Sequence, residues 1–192
     1  MTFLASLAGL LDRVEAGVAH LMAPHVVFAD TMALADAMAL AATYLRRADT
    51  LYFLGNGGSA AIASHAATDY TKNGGLRALT FNDASLITCL SNDFSYDEAF
   101  ARAVTRFVTH GDALIAISSS GASRNILNAC AAARMKGATL ITLSGFEPTN
   151  PLRTLGRLNF YVPSTSYGLV ESVHTALLHA ILEEHLMGTP HG

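Results

Sequence analysis

The sequence predicts an α/β fold, a doubly wound parallel sheet preceded by N-terminal helices. Three observations carry this expectation: short apolar runs recur from residue 50 onward, a helical pattern follows most of them, and small polar residues fill several of the joints. The runs cover residues 50–54, 77–81, 113–117, 139–143 and 159–162, and the helical patterns cover 59–72, 97–108, 123–136 and 169–186. Most of the runs are apolar on both sides of the pleat, as strands are when helices cover both faces of a sheet.

Ahead of these units, Leu4, Leu7, Leu11, Val14, Val18 and Leu21 recur at alternating steps of three and four, the spacing of one helical seam. A second helix is expected over 28–47. Both expose more apolar surface than a lone helical pair can bury on itself. Two uses remain open: a bundle between subunits, or packing over the chain's own sheet.

At 192 residues and 51% hydrophobic composition, the chain has the size and apolar content of one α/β domain. The net charge of −3, with 12 Lys and Arg scattered along the chain, supplies no basic stripe for nucleic acid or an anionic membrane. Small molecules and further copies of the chain are the expected partners. Cys89 and Cys130 lie in apolar segments without metal-ligand spacing, so both are expected to be buried free thiols in a reducing cytoplasm. Residues 1–11 lack the Lys or Arg that starts a secretory signal. The apolar stretch 32–45 contains Asp36 and is shorter than the roughly 20 residues that cross a bilayer. Residues 188–192 read as a frayed tail.

Two loops stand at strand-to-helix joints, where open α/β sheets bind ligands. The first is Gly55-Asn56-Gly57-Gly58-Ser59. Its glycines allow close approach to an anion, Ser59 can cap the following helix, and the first-turn N–H groups favour negative charge. A tight turn requiring positive φ explains the same glycines. The second loop, Ser118-Ser119-Ser120-Gly121-Ala122-Ser123, sets four hydroxyls around one glycine, more donors than a cap requires, and points to a phosphate monoester. Neither loop is a Walker A or a dinucleotide fingerprint.

The segments LGNGGSAAIASH, LSNDFSYDEAF, AISSSGASRNI and VESVHTALLHAILE resemble, in order and spacing, the signatures of the phosphoheptose isomerases within the sugar isomerase (SIS) family. The resemblance implies a single SIS domain over 1–192, with 1–47 as a helical extension used for oligomerisation. It implies aldose–ketose isomerisation of sedoheptulose 7-phosphate through an enediol, in a cytoplasmic homotetramer serving lipopolysaccharide or capsule synthesis. In the family, a His and a Glu one turn apart meet a Gln and a His of the C-terminal helix. The matching positions are His65, Asp69, Glu171 and His179, so the chain departs by a shorter acid and by an added charge.

By that resemblance Asp69 is the base and His179 its partner acid or base. Ser118, Ser119, Ser120 and Ser123 hold phosphate, and Asn56, Gly57, Ser59, Asp93 and Glu171 contact substrate. Some relatives hold zinc, which assigns His65, Asp69, Glu171 and His179 as ligands of Zn²⁺ or a related divalent ion. Other readings stay open. Asp93 serves equally as a helix or turn cap, the four-residue set as a metal-free ion-pair cluster, and His65 or His179 alone as a hydrogen-bonded structural histidine. His174 has no place in the implied set, and His20, His25, His110, His185 and His191 are expected at the surface. Two alternatives for the whole chain are a non-catalytic SIS module that binds a phosphosugar or a protein as a regulator, and an isomerase of another ketose phosphate.

Overall fold

A computed structural model describes residues 2–22 and 25–188. It begins with a short helix, α1 (Phe3–Leu11), capped by the Thr2 hydroxyl, which accepts the Ala5 N–H at 3.3 Å. The chain then forms two strands, β1 (Glu15–Met22) and β2 (His25–Met32), before helix α2 (Leu34–Arg47). This corrects the helices expected over 4–21 and 28–47: the first stops at Leu11 and the second starts at Leu34.

Residue type explains the difference. Leu11, Val14 and Val18 satisfy a helical seam, but Gly17 and the β-branched Val14, Val18, Val26, Val27 and Thr31 lower helix propensity and suit a pleated strand. Strand β1 also finds a partner that local periodicity does not reveal. Its Glu15, Ala16 and Gly17 pair antiparallel with Tyr161, Phe160 and Asn159 at the end of the main sheet. Arg153 secures that joint, bonding the Glu15 carboxylate while its guanidinium lies 4.2 Å from the Tyr161 ring centroid.

The main sheet follows the expected pattern closely. Strands β3 (Leu51–Leu54), β4 (Ala78–Thr80), β5 (Ala113–Ser118), β6 (Thr139–Ser144) and β7 (Leu158–Tyr161) are parallel, and the seven-stranded order is β2-β1-β7-β6-β5-β3-β4. Helices α3 (Gly58–Lys72), α5 (Tyr96–Phe107), α6 (Arg124–Met135) and α7 (Tyr167–Met187) fall within two residues of the periodic segments. A further helix, α4 (Ala84–Asp93), was not expected; Asp83 starts it by accepting the Leu86 N–H at 2.9 Å. None of its residues is fully buried, and Cys89 on it is exposed, contrary to expectation. Cys130, on α6, is buried as expected, and burial pushes its thiol up to about 12.

Successive strand residues divide between two cores. Leu51 and Phe53 pack with side chains of α2, α3 and α7, whereas Tyr52 and Leu54 pack with those of α5 and α6. Each fully buried large apolar side chain contributes about 1.5–3 kcal/mol, so both faces hold the sheet. The crossover from β3 through α3 leads to β4 on one side, and the return through α4 and α5 leads to β5 on the other. The resulting switch point opens a crevice between the carboxyl ends of β3 and β5, where the glycine and serine loops emerge.

The histidines outside the implied set divide by burial. His174 is fully buried, its Nε2 lies 3.2 Å from the Ser144 carbonyl, and burial lowers its pKa to about 4, so it is neutral. His185 was expected at the surface, but it is buried and its Nε2 meets the Gly74 carbonyl at 2.9 Å. His110 is exposed. His191 lies outside the described residues, as do the side chains of His20 and His25. Among the described residues no helix is long and apolar enough to cross a membrane.

Candidate active site

The glycine loop leaves β3 at Gly55 and turns at Gly57, whose φ of +53° is a conformation other residues enter at a cost. Helix α3 starts at Gly58, so Ser59 sits buried within the first turn and Gly57 occupies the cap position, with no side-chain capping bond. The serine loop leaves β5 beside it. Ser118 and Ser119 are each 4% exposed, the Ser118 hydroxyl lies 3.4 Å from that of Ser123, and Ser123 precedes α6 without capping it through its side chain. The Ser120 hydroxyl accepts the Ala122 N–H at 3.3 Å.

Together these loops enclose a cavity of about 250 Å³ lined by Asn56, Gly57, Gly58, Ser59, the four serines, Tyr167 and Glu171. Two helix N-termini, those of α3 and α6, open toward it. The Ser119 hydroxyl is buried with no hydrogen-bond partner among the described residues. A buried unpaired hydroxyl costs about 1–3 kcal/mol, so its presence within a ring of donors marks a place for an acceptor from outside the chain. Glu171 reaches the same cavity from α7. A Cβ on Gly58 would lie 2.5 Å from its carboxylate, so the bare glycine is what lets the acid approach the start of α3.

A second constellation lies farther along α3 and α7. Asp69 Oδ2 stands 3.3 Å from His65 Nε2 and 3.7 Å from His179 Nδ1, and the two imidazoles meet edge to face with centroids 5.4 Å apart. The i, i+4 spacing places His65 and Asp69 on one face, and Tyr70 holds that face against α7. Its buried hydroxyl donates to the Leu178 carbonyl at 2.8 Å, and desolvation raises its pKa, so it remains a neutral donor. The carboxylate is largely covered, whereas both rings are about half exposed.

One ligand atom from each of His65, Asp69 and His179 lies within 4.8 Å of the others, a two-nitrogen, one-oxygen set suited to Zn²⁺ with an open coordination position. Glu171 does not join this group. It precedes His179 by eight residues, about 12 Å of helix rise, and that separation carries it to the serine cavity. Asp93 is not drawn to the cavity either. It ends α4 with its carboxylate accepting the Asn92 amide at 3.0 Å. Tyr167, Tyr96 and Asn125, which the sequence reading passed over, stand in or directly behind the cavity wall, as does Gly58 of the glycine loop.

The SIS-domain family profile matches residues 18–145, and the chain belongs to that family. Within it, the chain belongs with the phosphoheptose isomerases: it is 38% identical over 180 residues to the phosphoheptose isomerase of Bradyrhizobium sp., covering 85% of this chain and 89% of that one. The phosphoheptose isomerase of Salmonella paratyphi B is 37% identical over 135 residues, covering 67% of this chain and 70% of its own. Among solved structures, the phosphoheptose isomerase from Neisseria gonorrhoeae superposes with a TM-score of 0.72 at 28% identity, covering 79% of this chain and 87% of that one.

Proposed function

We propose that the chain isomerises sedoheptulose 7-phosphate to D-glycero-D-manno-heptose 7-phosphate, with the phosphate seated in the serine cavity and proton transfer carried out by Asp69 and His179. The observation that carries this reading is the pairing of two sites on the same parallel helices. The Ser119 hydroxyl, without a partner among the described residues, lies at their N-terminal ends, and the carboxylate between two imidazoles lies farther along. From Ser59 to Asp69 is about 15 Å of helix rise, which leaves the phosphate and carbonyl ends of an extended sugar chain to be handled by different groups.

In the proposed reaction the Asp69 carboxylate takes a proton from the carbon beside the ketone. The electrons of the broken C–H bond form the enediolate double bond, and the displaced carbonyl electrons settle on oxygen. His179 transfers protons between the two oxygens, and return of a proton to the neighbouring carbon gives the aldose. His65, Asp69 and His179 would hold Zn²⁺ or a related divalent ion, which when bound supplies positive charge that favours the enediolate oxygens. The donor types and the 4.8 Å grouping support that assignment. Metal near one equivalent per chain in protein purified without a tag or chelator, lost in His65→Ala, is the expected result; full activity in metal-free protein contradicts a catalytic role.

Glu171 acts in this proposal from the cavity wall, its carboxylate accepting from sugar hydroxyls near the phosphate end rather than contacting the phosphate or the acid–base end. The half-exposed imidazoles leave room for a second subunit to complete the site; the homotetramer, the cytoplasmic location and a role in lipopolysaccharide or capsule synthesis are proposed from the family resemblance. Light scattering of the intact chain tests the assembly, and a monomer at micromolar concentration removes it. Replacing Ser119 by Ala is expected to raise KM about tenfold with kcat nearly unchanged, because a hydrogen bond to a charged acceptor is worth about 1.5–3 kcal/mol. An unchanged KM would place the phosphate elsewhere.

A further inference from the structure

Behind the cavity wall, the side chains of Asn56 and Asn125 pair through two reciprocal amide hydrogen bonds. Asn56 Nδ2 donates to Asn125 Oδ1, and Asn125 Nδ2 donates to Asn56 Oδ1, each at 2.9 Å. The Tyr96 hydroxyl donates to Asn56 Oδ1, also at 2.9 Å. We propose that Tyr96, Asn56 and Asn125 form a positioning relay that fixes the gap between the glycine and serine loops, so that Tyr96 and Asn125, which do not line the phosphate cavity, set its affinity. This rests on reading that cavity as the phosphate site.

The direction of every bond in the relay follows from one backbone group. The Ile126 N–H, which can only donate, meets Asn125 Oδ1 at 3.0 Å and so fixes which end of that amide is oxygen. The Asn125 NH₂ must then face Asn56 Oδ1, and the Tyr96 hydroxyl must donate to the same oxygen. With Oδ1 receiving two bonds and one amide hydrogen committed to Asn125, Asn56 keeps only a single N–H for a ligand. Its main work is therefore structural within the site.

Placement makes the relay consequential. Asn56 belongs to the loop after β3, Asn125 to the first turn of α6 and Tyr96 to the start of α5, so three separate elements meet in it. Asn125 is only 2% exposed, and its amide bonds face little competition from water. Asn56 and Gly57 also line a second cavity on the Tyr96 side, so the relay stands as the partition between two openings. A wall held at three points keeps the hydroxyls and the α3 N-terminus at the spacing a phosphate needs, and small misplacements of such donors are costly.

The test is calorimetric titration of the full chain with inorganic phosphate, for wild type, Tyr96→Phe, Asn125→Ala and the double variant. It is paired with kcat and KM for sedoheptulose 7-phosphate and with thermal unfolding. Tyr96→Phe removes one hydroxyl and keeps the ring. It is expected to weaken phosphate binding and raise KM by about fivefold, with kcat within about twofold and an unchanged unfolding temperature. Asn125→Ala is expected to weaken binding about tenfold or more, and the double variant to be no weaker than Asn125→Ala, since both act through Asn56. Should Asn125→Ala fail to fold, Tyr96→Phe alone decides. Wild-type binding that Tyr96→Phe leaves unchanged, or additive effects, overturns the relay alone. A wild type that does not bind phosphate overturns the reading of the cavity and the relay with it.

Discussion

Replacing Asp69 by Asn is expected to lower kcat by about 10²- to 10⁴-fold, the range that a positioned general base contributes. The substitution keeps the shape of the side chain and leaves the Tyr70 bond to the Leu178 carbonyl beneath it intact. What changes is the atom 3.3 Å from His65 and 3.7 Å from His179, which loses its capacity to take a proton from carbon. KM should move little, because phosphate and most hydroxyl contacts lie elsewhere. Asp69→Glu extends the acid by one methylene and should retain far more activity than Asp69→Asn, which separates the need for a carboxylate from the need for a given reach. Steady-state kinetics on the three proteins, with and without added zinc, check this, and an Asn variant of near wild-type kcat would move the base to another residue.

Gly121→Ala is expected to disable the serine loop and to cost several kcal/mol of stability. Gly121 holds φ at +62°, a conformation that costs a residue with a Cβ about 1–2 kcal/mol. The larger penalty is steric. An added Cβ would fall 1.9 Å from Asn150 Oδ1, and Asn150 is itself buried and anchored, its amide donating to the Gly145 carbonyl at 3.1 Å and the Glu147 carbonyl at 2.9 Å. Asn150 cannot withdraw without abandoning those bonds, so the loop must shift instead, carrying Ser119 and Ser120 with it. Thermal unfolding and phosphate titration together read the effect. A variant that unfolds and binds like wild type would contradict the loop geometry.

The contrast between these two sites shows what was legible in the sequence. The strands and helices from residue 50 onward could be read because each repeats one local rule: a short apolar strand buried on both faces, then a joint, then a helical pattern. His65 and Asp69 were singled out by the family resemblance, and their four-residue spacing is what sets both side chains on one helix face. Glu171 and His179 were not separable by that rule, since eight residues keep them on one broad face while moving them about 12 Å along it. Residues 15–32 failed for a related reason. The four-residue step from Val14 to Val18 keeps both side chains on one face in a helix and in a strand alike, and the pairing of β1 with β7 that decides between them is a contact with residues more than a hundred positions away.

Helix α4 carried a local signal that went unread, Asp83 as a cap followed by Leu86, Ile87 and Leu90 at helical spacing. Asn125 and Tyr96 carried none. Each gains its meaning only when the sheet brings the ends of β3 and β5 side by side, and only then does Asn56, which lines the cavity, also become the junction of three hydrogen-bonded side chains. His185 shows the same dependence from the other side, since its burial against the Gly74 carbonyl follows from how α7 crosses the end of α3.

The most direct test is to follow sedoheptulose 7-phosphate by NMR with the purified protein in D₂O. Proton abstraction by Asp69 followed by return of a solvent-exchanged proton predicts an aldoheptose 7-phosphate carrying deuterium at C2, formed by wild type and nearly abolished in Asp69→Asn. Absence of any aldose phosphate from protein that still binds inorganic phosphate would contradict the assignment as an isomerase and leave a phosphosugar-binding module in its place.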